Sequence, residues 1–280
     1  MNWSKESLIE VLSTTARSIA DEAHTISPNF DQDVIHHFRV QTKKLRALLR
    51  LIQTEDPELD IRLSKSFKKL YALSGEIRDA QVQLGRATKL CDPPLPDYTV
   101  WLAQEMANAE TEFNAFYDVK VVRKLAKKLK KLDVPEISSE TLQQYFQDHM
   151  EETVVLLLKE PLDDEDLHTL RKRVKDLQHV AKVCSEVWPE GAQAIGDSAS
   201  LKTLEKLTDL AGDYNDQHMA LLSLERYMES AEKTKKAEKV HGQWVAAKDE
   251  DRVKLLNAIK EFNGTMSGEF QRDSENTRGK

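Results

Sequence analysis

The sequence predicts an all-α protein made of two pseudo-symmetric antiparallel four-helix bundles that arise from an internal duplication. Three observations lead there. Only 9 Gly and 8 Pro punctuate 280 residues, too few for the many turns of an all-β chain. Leu, Ala, Lys and Glu, all good helix formers, dominate between them. Finally, the order of basic motifs in the first half recurs in the second.

The prolines at 28, 57, 93, 94, 96, 135, 161 and 189 fall between stretches with helical spacing of apolar residues, where a helix has to end. They delimit eight expected helices, over 4–25, 32–54, 58–90, 97–132, 139–159, 163–187, 197–231 and 235–262. Ser4, Asp31, Ser139 and Asp197 are the expected N-caps, because their side-chain oxygens can accept from a first-turn amide. The first unit is placed at 1–135 and the second at 136–262, and the polar stretch 263–280 is expected to be a disordered tail.

The repeat is specific in its residues. Ile35-His36-His37-Phe38-Arg39 through Arg46 aligns with Leu167-His168-Thr169-Leu170-Arg171 through Gln178, and both carry His-x-x-Arg-x-x-x-Lys-x-Leu. Gly75-Glu76-Ile77-Arg78-Asp79 then aligns with Gly212-Asp213-Tyr214-Asn215-Asp216, which places Lys65 and Lys69 on Lys202 and Lys206.

Several function classes fall away. The densest apolar run, Val154 to Leu158, is far short of the roughly 20 residues that span a bilayer. The N-terminus leads into amphipathic sequence with Glu6 and Glu10, unlike a secretory or transit peptide. Cys91 and Cys184 form no CxxC pair, so a reducing cytoplasm is expected, without a disulfide framework. His36 and His37 are adjacent and diverge on a helix, no HExxH occurs, and no metal or cofactor is expected.

The net charge of −7 hides an uneven distribution, +2 over residues 1–135 and −9 over the remainder. Between Val34 and Thr54 there are five basic residues and no acid. His36, Arg39, Lys43, Arg46 and Arg50 form one helical stripe, with Lys44 beside it, while Ile35, Phe38, Leu45, Leu48, Leu49 and Ile52 form a core-facing stripe. His168, Arg171, Lys175 and Lys182 repeat the device, with Lys172 adjacent. A third acid-free run, Lys120 to Lys131, includes Arg123 and Lys127 and is expected to close the first unit.

Like charges at i,i+3 and i,i+4 cost about 0.2–0.5 kcal/mol per pair, a penalty that a bound polyanion offsets. No Gly-rich phosphate loop is present, which argues against a single nucleotide held in the P-loop manner. The stripes contain no aromatic residue for base stacking, which turns the reading from nucleic acid towards an anion without bases. Asp79 and Asp216 are expected to bridge to basic residues or to cap a turn.

The paired His-x-x-Arg-x-x-x-Lys motifs, followed by Gly75-x-x-Arg78-Asp79 and Gly212-x-x-Asn215-Asp216, resemble the CHAD family, the conserved histidine α-helical domains, over about residues 4–262. The resemblance implies two pseudo-symmetric four-helix bundles with basic surfaces and binding of inorganic polyphosphate, with association to polyphosphate granules. Many CHAD domains are fused to a triphosphate-tunnel domain; this chain is expected to stand alone. Carried over, the polyphosphate-binding set is His36, Arg39, Lys43, Arg46 and Arg50, then His168, Arg171, Lys172, Lys175 and Lys182, with Lys65, Lys69, Lys202 and Lys206 from following helices. Lys44, Arg123 and Lys127 complete it.

Asp176, Gln178 and Asn215 stand where the first copy has Lys44, Arg46 and Arg78, so the first half is expected to carry more of the binding. His36 and His168 are read either as phosphate donors or as structural histidines. Binding, not catalysis, is the expected function; a nucleic-acid-binding helical protein or a histidine phosphotransfer module is the alternative.

Overall fold

The computed structural model describes residues 2–278 except 28, 60, 196–197 and 231–233, with side chains left aside at 194, 198–201, 203 and 263–278. The elements are β1 (Asn2–Trp3), α1 (Lys5–Ile26), α2 (Gln32–Glu55), α3 (Lys65–Leu90), α4 (Pro96–Phe116), α5 (Val119–Lys130), β2 (Ile137–Ser138), α6 (Ser139–Leu157), α7 (Asp164–Val187), the short α8 (Pro189–Ala192) with a 3-10 turn (Gln193–Ile195), α9 (Ser198–Ser230) and α10 (Lys235–Arg278). The protein is all-helical apart from the antiparallel β1–β2 pair, which joins Trp3 to Ile137.

Capping chemistry sets most boundaries. Ser4 accepts from the Ser7 amide and Asp31 from those of Asp33 and Val34, as expected. Asp163 and Asp166 form a reciprocal capping box ahead of α7. Three expectations are corrected. The helix expected from 58 begins at Lys65, where Ser64 accepts from the Phe67 amide, because the described residues between Pro57 and Ser64 are not helical. Ser138, not Ser139, caps α6 by accepting from the Thr141 amide. The helix expected over 97–132 breaks at Tyr117, and Asp118 caps a new helix by accepting from Lys120. The break lets the chain leave α3, along which α4 runs, and return as α5 along α1. The expected cap Asp197 lies outside the described residues, as do the side chains of the expected tail, 263–280, into which α10 extends.

The core is continuous across the middle of the molecule. α1 packs on α2 and α5, α2 packs on α7, and α7 packs on α9. Ile35, Phe38, Leu45, Leu167, Leu170, Val174 and Leu177, all at most 1% exposed, belong to one cluster. Fully burying such a side chain is worth about 1.5–3 kcal/mol, so this contact is the structural centre. A smaller core forms where the turn ends of α3 and α4 meet α9 and α10, around Tyr98, Leu224, Tyr227, Val240 and Trp244. There the Tyr98 hydroxyl lies 3.0 Å from the Ser223 hydroxyl.

The stacked rings of Trp3 and Trp188, 5.8 Å apart, fasten the N-terminus to the end of α7. Gly191 makes this possible, since a Cβ built there meets the Trp188 ring at 2.1 Å. Gly191→Ala should therefore destabilise the fold by about 1–3 kcal/mol through overpacking, read as a lower urea midpoint with unchanged slope; an unchanged midpoint would refute this account of the Trp188 contact.

Candidate functional site

The apolar stripes of α2 and α7 are buried against each other and against neighbouring helices, which forces their basic stripes onto adjoining faces. Lys43 stands where they meet. Its half-buried ammonium feels the charges of Arg39 on its own helix and of Arg171 and Lys175 on α7. Burial, then these three cations, push its pKa down to about 8, and the Asp79 charge opposes them with a smaller effect. Among the described residues no carboxylate lies within ion-pair distance of Lys43. Lys175 is lowered in the same way, by burial and then by Arg171, while Asp209 and Asp216 oppose the shift.

Arg39 is held rather than free. Its guanidinium donates to the Tyr71 carbonyl at 3.0 Å and lies 4.7 Å from the centre of the Tyr71 ring. It crosses α3 at Gly75, where a Cβ would come within 2.6 Å of Nη1. That close approach explains the glycine of the first Gly-x-x-Arg-Asp motif. Gly212 has open space where a Cβ would lie, so the Gly-x-x-Asn-Asp motif does not repeat the contact. Arg171 keeps Nε buried without a hydrogen-bond partner.

The remaining predicted residues divide by surroundings. His36, Arg46, Lys172 and Lys182 are exposed along the two stripes, and Lys44 is half-buried. The Arg46 guanidinium sits 6.0 Å from the Tyr71 ring centre, so α3 brings an aromatic to a stripe whose own sequence has none. His168 Nδ1 lies 3.0 Å from the Asn215 side-chain oxygen. The His36 pKa is lowered by burial, then by Arg78, His37 and Lys43, which favours neutral imidazole.

Other predicted residues are engaged elsewhere. Arg50 pairs with Asp176 across the α2–α7 contact, so this acid, standing where the first copy has Lys44, ties down a cation of the first stripe. Lys206 pairs with Glu261 at 2.8 Å, and Lys69 lies over the Phe116 ring at 4.7 Å. Lys65 and Lys202 are exposed near the starts of α3 and α9. Arg123 and Lys127 occupy the exposed side of α5, which packs on α1 and α3. Asp79 and Asp216 make no ion pair among the described residues, contrary to the expected bridges. Burial raises the Asp79 carboxyl, against the pull of Arg39 and Lys43 and with a further push from Asp216.

Arg78, whose charge the sequence comparison counted towards the first half, bears on His36. Sequence reasoning missed three members of the site. Lys68 and Tyr71 share with Thr42 and Arg46 a cleft of about 330 Å³. His179, one turn beyond Lys175, is pushed down to about 4 by burial and by Lys43, Lys175, Lys44 and Lys182. Its helical spacing from Lys175 was a usable signal; the approach of Tyr71 from another helix was not. Among the described residues, no group of His, Cys, Asp or Glu is placed to hold a metal ion, and no helix is long and apolar enough to cross a membrane.

Comparison with known proteins agrees with this architecture. The CHAD domain family matches residues 11–225. The crystal structure of the CHAD domain from the plant Ricinus communis superposes with a TM-score of 0.68 at 18% identity, covering 92% of this chain and 91% of that one. PptA from Streptomyces chartreusis is similar at a TM-score of 0.63 and 11% identity, covering 92% of this chain and 98% of that one. At these identities the likeness is one of fold. No curated protein matches the sequence. The family match spans most of the chain and includes both His-x-x-Arg-x-x-x-Lys motifs, and the chain belongs to the CHAD domain family.

Proposed function

We propose that the protein binds inorganic polyphosphate, a linear polyanion, along the basic faces of α2 and α7, and that it does so without catalysing a reaction. The observation that carries this reading is Lys43, half-buried among Arg39, Arg171 and Lys175 with no ion-pairing carboxylate among the described residues. Such crowding costs stability, and a phosphate chain laid across it converts mutual repulsion into shared attraction. Arg171, with its unpartnered Nε, supplies a directional donor beside the mobile charges of Lys43 and Lys175. CHAD membership supports the ligand class, since the resemblance noted above carries the same implication.

The internal duplication belongs to this proposal. Two homologous units, each offering one basic helix, would create a groove with a repeating charge pattern matched to a repeating polymer. The first unit is the stronger contributor, because Asp176 and Asn215 replace cations in the second. Cytoplasmic location, on polyphosphate granules where these occur and with granule proteins as neighbours, follows from the same reading. Tyr71 between Arg39 and Arg46 offers one stacking surface and is the specific observation favouring nucleic acid as the second reading.

Calorimetric titration with long-chain polyphosphate, RNA and tripolyphosphate separates these readings. Polyphosphate should bind tightest and tripolyphosphate weakest. By analogy with nucleic acid, neutralising about six phosphates should make affinity fall roughly a thousandfold between 50 and 200 mM salt. Equal affinity for RNA of the same charge would overturn the assignment to polyphosphate.

Lys43→Met should weaken polyphosphate binding by about ten- to a hundredfold while leaving stability at pH 7 unchanged or higher. Weaker binding accompanied by a lower urea midpoint would instead mark Lys43 as structural.

The sign of the pH dependence follows from the lowered pKa. Between about 8 and the ordinary lysine value of 10.5, the unfolded chain holds a proton on Lys43 that the folded chain has shed, so stability rises with pH there. Wild type should therefore gain stability relative to Lys43→Met between pH 8 and 10.5 in parallel urea titrations, whereas a constant difference would contradict the crowding.

A further inference from the structure

The charge balance inverts on another face of α3. A cleft of about 580 Å³ opens between α3, α4 and α9. Six carboxylates line it, Glu76 and Asp79 on α3, Glu105 and Glu112 on α4, Glu225 and Glu229 on α9, against the single guanidinium of Arg226. Two of them are answered: Arg226 lies 3.5 Å from Glu105, and His241 Nε2 lies 3.0 Å from Glu225. Glu76, Asp79, Glu112 and Glu229 make no ion pair among the described residues.

A group of surface carboxylates is ordinarily solvated and needs no ligand. Here a second, independent feature accompanies it. Gln83 lines the same cleft, is only 6% exposed, and keeps its side-chain oxygen buried without a hydrogen-bond partner. An unmatched buried acceptor is costly, and it is satisfied by a donor, the same chemistry that the carboxylates attract.

The arrangement also selects the kind of donor. The carboxylates are dispersed, and among the described residues none of them joins a group placed to hold a metal ion. Apolar residues share the lining with Asn108 and Ser223: Leu102 is buried, and Met219 and Leu222 are 36% and 40% exposed. Separated negative charges around an apolar floor match a cation whose charges are spaced along a hydrocarbon chain. Each ammonium then faces a carboxylate, while the methylenes between them cover Leu102, Met219 and Leu222. We propose that this cleft binds a linear aliphatic polyamine of the spermidine class. The proposal goes beyond polyphosphate binding and uses residues outside the basic stripes of α2 and α7, although the Asp79 charge also acts on Lys43.

The test is calorimetric titration of the full chain with spermidine at low salt, in the absence of any polyanion. One spermidine should bind per chain. Affinity should fall at least tenfold in the Glu76→Gln/Glu112→Gln/Glu229→Gln variant and by a smaller factor in Gln83→Leu. Because all three glutamates are exposed, the helical circular dichroism of the triple variant should match wild type. The single charge reversal Glu229→Lys provides a second variant, again with weakened binding expected. Magnesium should displace spermidine no better than sodium at equal ionic strength. The proposal is overturned if spermidine does not bind, if both the triple and Glu229→Lys variants bind it as wild type does, or if magnesium or pentalysine fills the cleft equally well.

Discussion

The packing of α2 against α7 is the constraint on which the rest of the molecule depends. Both helices are amphipathic in the same way, with a buried apolar stripe and a cationic stripe along an adjoining face. Burying the first kind of surface is strongly favourable, and it cannot be done here without bringing the second kind together. Lys43, Arg171 and Lys175 are therefore gathered by the hydrophobic core rather than by any attraction of their own. Apolar burial worth about 1.5–3 kcal/mol for each of several side chains along the two stripes outweighs the repulsion among these cations. The result is a concentrated positive field that persists because the core does not allow the helices to separate.

The other helices frame this centre. α3 lies behind α2, anchoring Arg39 through the Tyr71 carbonyl and giving it room at Gly75. α9 lies behind α7 and contributes Asn215 to His168. The same α3 that supports the cationic stripe of α2 turns acidic residues towards α4 and α9, so one helix separates two regions of opposite charge. The net charge of −7 thus describes neither region.

Much of the fold was legible in the sequence, because 3.6-residue periodicity and side-chain caps are local signals. The α2 and α7 boundaries lie within a residue or two of expectation for that reason. The break at Tyr117 was not legible. Residues 97–132 keep helical periodicity throughout, and only the need to pass from α3 to α1 makes Asp118 a cap. The stripes were readable as charge patterns, but the status of each cation was not. Arg50 and Lys206 are engaged by Asp176 and Glu261 from distant parts of the chain, and Tyr71 arrives from a helix whose angular position no sequence period supplies. Lys43 was one basic residue among several until the neighbouring helix placed Arg171 and Lys175 beside it.

The most direct test of the account is the ionisation of Lys43 itself, followed by heteronuclear NMR of its side chain in the free protein and in the presence of saturating long-chain polyphosphate. The account predicts a pKa of about 8 in the free protein, with a rise on adding the polymer as phosphate charge replaces the cationic surroundings. An ordinary lysine value in the free protein, or a depressed value that polyphosphate leaves unchanged, would contradict it.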